Sequence, residues 1–255
     1  VFDTAFHSTM PPHAYMYAID YDDYKNYKIR KYGFHGTSHK YVSQEAIKYL
    51  GGKAEGTKIV TCHLGGGSSI SAVKDGKCVD TSMGFTPLAG VPMGTRSGDI
   101  DPAVLEFLAA KKNYSVLDCV NYLNKQCGVA GVSGVSSDFR DLTKAAAEGN
   151  DRAALALDVF AYGVKKYIGA YVAAMNGLDC LVFTAGIGEN TWQVRKMICD
   201  GMDYLGIRID EARNEQKNDG SIHDITADGS RVKVLVIPTN EELVIARETK
   251  ELVEG

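Results

Sequence analysis

Three consecutive runs of strand-like sequence constrain the fold of this chain more than any other feature. Residues 58–64 (KIVTCHL) and 69–73 (SISAV) contain β-branched side chains and are separated by a glycine-rich turn. Asp75 and Gly76 both tolerate the positive φ of a tight hairpin turn, and residues 77–81 follow as a third run. The pattern predicts three strands joined by short turns.

The remaining sequence alternates between helical and strand-like segments. Apolar spacing and caps predict helices over residues 41–50, 102–111, 116–126, 138–148, 151–175, 191–202 and 241–253, and strands over 180–184 and 232–237. Residues 8–31, rich in Pro, Tyr and Asp, are expected to be irregular. A strand meander followed by helices that alternate with strands predicts an α/β layer fold.

The composition excludes several classes of protein. The 255 residues are 45% apolar and 24% charged with a net charge of -4, which argues against wholesale disorder and against a nucleic-acid partner. No run approaches the roughly 20 apolar residues of a membrane helix, and no signal-peptide pattern is present. Six scattered cysteines without a CxxC pair argue against zinc and favour reduced thiols in the cytoplasm.

Two glycine-rich segments are candidates for ligand binding. HLGGGSS (residues 63–69) connects two predicted strands, where glycines let a ligand approach backbone N–H groups; an ordinary hairpin is the alternative. FTAGIGEN (residues 183–190) follows a buried strand and precedes a helix, which directs N–H groups and the positive helix end at a ligand. A tight strand-to-helix connection is the alternative there.

Three further segments carry charged or titratable groups. Arg96, in the loop GVPMGTRSGD, either binds phosphate or carboxylate oxygens or lies on a mobile surface loop. His35 and His39, in GFHGTSH, either serve phosphoryl or proton chemistry, bind a metal, or satisfy local turn hydrogen bonds. Glu241 and Glu242, in PTNEE, either complement the helix dipole or bind Mg²⁺. Together these segments are the parts that phosphoryl transfer needs.

Seven motifs in a fixed order carry a family resemblance. They are FDTAFHSTMP (residues 2–11), YGFHGTSHKYV (32–42), HLGGGSS (63–69), GVPMGTRSGDIDP (90–102), DFRDL (138–142), FTAGIGEN (183–190) and PTNEELVIARET (238–249). The chain closely resembles the acetate and propionate kinase family from residue 2 to the terminal helix. The resemblance implies a ribonuclease-H-like α/β domain of the actin, sugar-kinase and heat-shock ATPase superfamily. This domain is a mixed sheet flanked by helices, and it is one of the family's two domains.

The resemblance also implies a role for each matching residue. Asp3, His35 and Arg96 resemble the family's catalytic residues, with His35 acting at the transition state, and Glu241 resembles the ligand of Mg²⁺ (or Mn²⁺). The ATP-contacting residues would be His63, Leu64, Gly65, Gly66 and Gly67, then Asp138, Phe139 and Arg140, and finally Gly186, Ile187, Gly188, Glu189 and Asn190.

The domain organisation follows from the same resemblance. Residues 1–8 would cross toward an N-terminal domain that this sequence lacks, residues 9–240 would form the C-terminal nucleotide-binding domain, and residues 241–255 would form a helix that packs on the missing domain. The chain begins at Val1, and its first residues resemble the end of a secondary-structure element that starts earlier in a sequence. We therefore expect a piece of a longer protein, with a processed N-terminus as the alternative.

The implied activity is reversible, direct in-line transfer of the γ-phosphoryl group of ATP to acetate, giving acetyl phosphate and ADP. The implied enzyme is cytoplasmic and, at full length, a homodimer. Acetate is already a carboxylate at pH 7, so catalysis needs no general base. It would rely on alignment and on Arg96 and His35, which would both neutralise charge on the phosphoryl oxygens. Asp3 would have a positioning role toward a Mg²⁺-bound water or Arg96. Two alternatives stay open: a nucleotide-binding fragment without turnover, and a propionate or butyrate kinase.

Overall fold

One six-stranded mixed sheet forms the centre of the protein. The computed structural model describes residues 2–254, apart from the side chains of Glu248, Glu251 and Glu254. The strands are β1 (Lys58–Leu64), β2 (Ser68–Lys74), β3 (Lys77–Thr81), β4 (Cys180–Thr184), β5 (His223–Asp224) and β6 (Lys233–Val236). Their order across the sheet is β3-β2-β1-β4-β6-β5.

The strand directions confirm the predicted fold class. Strands β1, β2 and β3 form the expected antiparallel meander, and β4 and β6 run parallel to β1. Strand β5 closes the sheet antiparallel to β6. This order, with these directions, is that of a ribonuclease-H-like sheet. The turn between β2 and β3 has φ 53° at Asp75 and 74° at Gly76, in agreement with the predicted hairpin.

Helices cover both faces of the sheet. They are α1 (Pro12–Tyr15), α2 (Tyr21–Tyr27), α3 (Gly36–Tyr49), α4 (Ala103–Lys112), α5 (Val116–Lys125), α6 (Gly128–Ser133), α7 (Phe139–Ala147), α8 (Asp151–Met175), α9 (Ala185–Asn190), α10 (Trp192–Cys199), α11 (Glu211–Glu215) and α12 (Glu241–Glu254), with 3₁₀ turns at Ala5–Thr9 and Asp203–Leu205. None of the helices described within residues 2–254 has both the length and the hydropathy of a membrane crossing.

Alternation along β1 decides what each face of the sheet contains. Val60, Cys62 and Leu64 belong to the main apolar core, which α8 covers. Thr61 and His63 point to the opposite face and are buried there against the first turn of α3. The apolar side chains of β1 thus hold the layers together, while its polar side chains are brought to a helix that carries further polar residues.

Four segments differ from the sequence-based expectations. Residues 8–31 carry α1 and α2 and are not irregular throughout. Helix α3 begins at Gly36 and not at residue 41, because the residues of its first turn are polar and are buried by hydrogen bonds, which leaves no apolar periodicity to detect. Helices α6 and α9 were not expected, since glycine-rich sequence is typical of turns.

Candidate functional site

The turn between β1 and β2 lies at the sheet edge where the parallel strands end. Residues 65–67, which we call the glycine turn, follow β1 directly, and α9 follows the neighbouring parallel strand β4. Gly65 N donates to Gly67 O (3.1 Å), and Ser68 Oγ donates to Gly65 O (3.1 Å), so the turn is closed from within. Ligands of open α/β sheets bind at this edge.

A cavity of about 540 Å³ opens beside the glycine turn. Its lining comes from three segments that are far apart in the sequence: Gly65 and Gly66, then Ser137, Asp138, Phe139 and Arg140, and then Gly186, Ile187, Asn190 and Thr191. The structure therefore brings together eight of the thirteen residues that the resemblance assigns to ATP, namely Gly65, Gly66, Asp138, Phe139, Arg140, Gly186, Ile187 and Asn190.

Asp138 and Arg140 form the outer wall of this cavity. Asp138 caps α7 by accepting a hydrogen bond from Arg140 N (2.8 Å), and the Arg140 guanidinium binds the same carboxylate. These contacts lower the pKa of Asp138 to about 2. The Arg140 side chain is 88% exposed, so the pair forms a charged rim that is open to solvent.

The remaining residues of the GIGEN segment support the cavity from behind. Glu189 Oε1 accepts hydrogen bonds from Ala185 N (2.8 Å) and Thr239 N (3.2 Å), which ties α9 to the start of the last helix. The buried Arg195 guanidinium donates to the carbonyls of Gly188 and Glu189 and fixes the other end of α9. Glu189 and Gly188 are thus placed to position the segment, and they do not line the cavity.

His35 is held at the opposite side of the glycine turn. Its backbone has φ 56°, the left-handed region, and its N–H donates to Asp3 Oδ2 (2.7 Å). Gly36 N donates to the Asp3 carbonyl (2.8 Å), and a Cβ on Gly36 would lie only 2.3 Å from that carbonyl oxygen. Both backbone groups at the start of α3 are therefore fixed by Asp3, a contact that differs from the expected positioning of a Mg²⁺-bound water or Arg96.

His35 and His63 present their rings together. The two rings stack with centroids 4.0 Å apart, at an angle of 17°. His35 Nδ1 lies 2.9 Å from Ser69 Oγ, and His63 Nδ1 lies 2.9 Å from Ser38 Oγ. Burial lowers the pKa of His35 to about 4 and that of His63 to about 3, so both rings are neutral at pH 7.

Two more histidines extend this group of neighbouring imidazole rings into the interior of the protein. His39 contacts His63 at 6.1 Å and His7 at 5.7 Å between ring centroids, and burial lowers the pKa of both His39 and His7. We call His7, His39, His63 and His35 the histidine column. Both ring nitrogens of His39 are engaged, by Thr61 Oγ1 and Ser69 Oγ, at 2.7 Å each. His39 therefore has no nitrogen left for a metal, and the alternative of a His35–His39 metal pair is wrong.

Arg96 converges with His35 on the glycine turn. A Cβ placed on Gly67 would lie 3.1 Å from Arg96 Nη1 and 3.4 Å from His35 Nε2. Only a glycine leaves this space open between a guanidinium and an imidazole. The Arg96 loop is also fixed, since Cys127 N donates to Thr95 O and Met93 N donates to Arg96 O (3.0 Å each). These bonds favour a role of Arg96 in the site over the alternative that it lies on a mobile surface loop.

Glu241 lies at the first position of α12, near Asp3. Burial and the negative charge of Asp3 both raise the pKa of Glu241. Among the described residues there is no group of three or more His, Cys, Asp or Glu side chains that could hold a metal ion. A cation here would need oxygen ligands from elsewhere in addition to these carboxylates.

Two residues behind the stacked histidines, Ser38 and Thr61, had no role assigned from the sequence, whereas His39 and Ser69 belonged to candidate segments. Ser38, His39, Thr61 and Ser69 are all buried and hydrogen-bonded to the column. The detectable signal was the alternation of β1, which places polar side chains at positions 61 and 63 on one face. Leu64, in contrast, is fully buried in the apolar core and contributes to the site only through its backbone position.

The fold and this edge of the sheet define a ribonuclease-H-like α/β domain with a glycine turn between a cavity and a pair of neutral histidines. A profile of the Acetokinase family matches residues 1–247, and the chain belongs to that family. This confirms the resemblance on which the site residues were assigned.

Individual relatives agree with the family assignment. The chain is 61% identical over 255 residues to a protein named acetate kinase from Acetivibrio thermocellus, covering 100% of this chain and 63% of that protein. The crystal structure of Porphyromonas gingivalis acetate kinase superposes with a TM-score of 0.96 at 48% identity, over 99% of this chain and 63% of the other. A propionate kinase structure from Francisella tularensis gives 0.90 at 46% identity, over 97% and 62%. The chain thus spans about 63% of the length of its relatives.

Proposed function

We propose that this chain is the nucleotide-binding and phosphoryl-transferring part of an acetate kinase. The reaction is the reversible transfer of the γ-phosphoryl group of ATP to acetate, which gives acetyl phosphate and ADP. The observation that carries the proposal is the close approach of Arg96 and His35 to Gly67, the residue that follows the cavity-lining Gly65 and Gly66. The names of the relatives support ATP and acetate as the substrates.

The nucleotide is best accommodated with its nucleoside in the cavity and its phosphates along the glycine turn. Phe139 and Ile187 supply apolar lining, and Asp138 and Arg140 supply polar groups at the rim. In this direction the terminal phosphoryl group reaches Gly67, beside Arg96 Nη1 and His35 Nε2. His63, Leu64 and Gly188 then act as supports of the nucleotide-binding segments.

Arg96 and His35 contribute differently to the transfer. The Arg96 guanidinium neutralises charge on the phosphoryl oxygens. His35 is neutral at pH 7, because its pKa is lowered to about 4, so it contributes a hydrogen bond and not a charge. Acetate needs no general base, because its carboxyl group ionises well below pH 7. Asp3 holds the backbone of His35 and acts through it.

A divalent cation fits the chemistry of the acidic residues at this edge. Glu241 and Asp3 are neighbouring carboxylates whose repulsion a cation would relieve, and oxygen ligands suit Mg²⁺ or Mn²⁺. When bound, such an ion supplies charge neutralisation to the phosphate oxygens. Within this chain, Glu241 would hold it, with Asp3 nearby and with nucleotide and water oxygens completing its coordination.

The surface left open at both ends of the chain supports the expected domain organisation. Phe2 is 82% exposed, and Leu252 and Val253 of α12 are 83% and 80% exposed, whereas Val244 of the same helix is buried. Phe2 and the distal part of 241–255 would therefore contact another domain of the enzyme, whereas His7, within the expected crossing segment 1–8, is fully buried against residues 9–240. We further propose that the complete enzyme is a cytoplasmic homodimer.

Calorimetry and a coupled assay test this proposal. We expect the chain alone to bind ADP or ATP weakly and to form no acetyl phosphate. The chain is then fused to the part of the Acetivibrio thermocellus relative that it does not cover; we call this the joined protein. Turnover by the joined protein with acetate, above that with propionate or butyrate, supports the proposal. Failure of both proteins to bind nucleotide contradicts it, as does full turnover by the chain alone as a monomer.

A further inference from the structure

A chain of hydrogen bonds runs behind His35 through three buried side chains. His35 Nδ1 lies 2.9 Å from Ser69 Oγ, which lies 2.7 Å from His39 Nε2. His39 Nδ1 lies 2.7 Å from Thr61 Oγ1. Ser69, His39 and Thr61 are fully buried, so this chain connects the site to the interior of the sheet.

The hydrogens of this chain can be arranged in two directions. In the first, Thr61 donates to His39 Nδ1, His39 Nε2–H donates to Ser69, and Ser69 donates to His35 Nδ1. In the second, every bond is reversed, and His35 Nδ1–H donates to Ser69. The first direction leaves the hydrogen of neutral His35 on Nε2, and the second leaves a lone pair on Nε2.

Thr61 decides between the two directions. In the second, the Thr61 hydroxyl accepts from His39, and its own hydrogen needs another acceptor. Across residues 2–254, His39 is the hydrogen-bonding partner found for Thr61 Oγ1, with no second one. A buried donor without an acceptor costs free energy. In the first direction every hydrogen of the buried Thr61, His39 and Ser69 side chains in this chain has an acceptor, so this direction is the favoured one.

We propose that Thr61, His39 and Ser69 are positioning residues that hold His35 in the tautomer with its hydrogen on Nε2. This nitrogen is the one that lies 3.4 Å from the Cβ position of Gly67, beside Arg96 Nη1. The tautomer presents an N–H donor to an anion at that place, whereas the other would present a lone pair. That the anion is a transferring phosphoryl group rests on the proposed function; the tautomer itself does not.

Thr61→Val tests the proposal at the end of the hydrogen-bond chain that is farthest from His35. It removes the first donor of the chain, two side chains away from His35, and nearly preserves side-chain shape. Thr61→Ser keeps the hydroxyl and should rescue the effect. Thr226→Val is the matched control, because Thr226 is also buried but hydrogen-bonds to the backbone of Val234, outside the histidine column.

Nitrogen NMR of the imidazoles in the ¹⁵N-labelled chain gives a readout that is independent of activity. We expect His35 to carry its hydrogen on Nε2 in the parent, in Thr61→Ser and in Thr226→Val, and to show both tautomers in Thr61→Val and in Ser69→Ala. In the joined protein, kcat should fall about 10-fold in Thr61→Val and about 100-fold in Ser69→Ala, with KM for ATP unchanged.

The results of these experiments distinguish a failure of the tautomer proposal from a failure of the proposed function. A hydrogen on Nδ1 of His35 in the parent overturns the inference. An unchanged Nε2 tautomer in Thr61→Val overturns it as well. The Thr61→Val variant also serves as the test if Ser69→Ala does not fold. If the tautomers change as expected but the joined protein does not phosphorylate acetate, the positioning role stands and the proposed function is wrong.

Discussion

His35 and His63, on one side of the glycine turn, are held by buried serine hydroxyls, whereas Asp138 and Arg140, on the other side, pair at an exposed helix end. The histidine side is fixed by hydrogen bonds that cross between α3, β1 and β2, so its geometry is set when the protein folds. The cavity side is formed by helix ends and open side chains, which adapt to a ligand more easily. Rigidity is therefore placed where the phosphoryl group would react, and adaptability where a nucleoside would bind.

Replacing Arg96 should have the largest effect, and this effect should be a lower kcat alone. In the joined protein, Arg96→Ala is expected to lower kcat by roughly 10³–10⁵-fold, because an arginine that acts on transition-state charge contributes that much in related systems. Arg96→Lys should recover only a small part, since it keeps the charge but loses the planar fork. Steady-state kinetics with ATP and acetate varied separately measure this.

The control for Arg96 is an exposed arginine away from the site. Arg208→Ala removes the same positive charge from the surface and should leave kcat unchanged. A kcat within a few-fold of the parent in Arg96→Ala would remove Arg96 from the site.

Filling the space at Gly67 should have the next largest effect. A Cβ there would contact both Arg96 and His35, so Gly67→Ala is expected to displace the phosphoryl group and to lower kcat by about 10²-fold in the joined protein. Gly169→Ala on α8, where an added Cβ meets nothing within 4 Å, is the matched control. Equal rates for the two variants would mean that the space at Gly67 is not where the reaction occurs.

Lowering the pH should destabilise the protein through the histidine column before it protonates Asp138 and breaks the Asp138–Arg140 pair. The pKa values of all four histidines of the column are lowered in the folded protein, so between pH 6.5 and about 4 the unfolded chain binds protons that the folded chain does not. The free energy of unfolding should therefore fall as the pH drops below 6.5, by up to about 1.4 kcal/mol per pH unit for each histidine. Asp138 stays ionised throughout, because its pKa is about 2.

Urea unfolding at pH 7 and pH 5, for the parent chain and for His63→Asn, checks this expectation. The loss of stability on acidification should be smaller in the variant, because one buried neutral histidine has been removed. An unfolding free energy that is the same at both pH values would contradict the burial of the column.

Changing the open rim of the cavity should have the smallest effect on the rate. Arg140→Ala is expected to weaken ADP binding by about 10-fold, as the loss of one charge-assisted contact does, and to leave kcat of the joined protein unchanged. The same variant should let the pKa of Asp138 rise toward its usual range, since Arg140 is the main cause of its lowering. Calorimetry and a carboxyl NMR titration measure the two effects; a large loss of kcat would place the reaction at the cavity and not at Gly67.

The sequence predicted the sheet better than it predicted the buried polar residues that hold His35 and His63. Strand alternation and the Asp75-Gly76 turn are local signals, and both were confirmed. The start of α3 was missed because its buried residues, such as Ser38 and His39, are polar, and their burial depends on partners in β1 that are distant in the sequence. For the same reason, a resemblance names His35 but does not reveal the hydrogen bonds that orient it.

A crystal structure of this chain with ADP and an aluminium fluoride mimic of the phosphoryl group would show whether the phosphoryl group lies between Arg96 and His35. We expect the nucleoside in the cavity between Asp138 and Ile187, the diphosphate along the glycine turn, and the mimic within hydrogen-bonding distance of both Arg96 Nη1 and His35 Nε2. A nucleotide bound elsewhere, or a mimic that contacts neither side chain, would contradict this expectation.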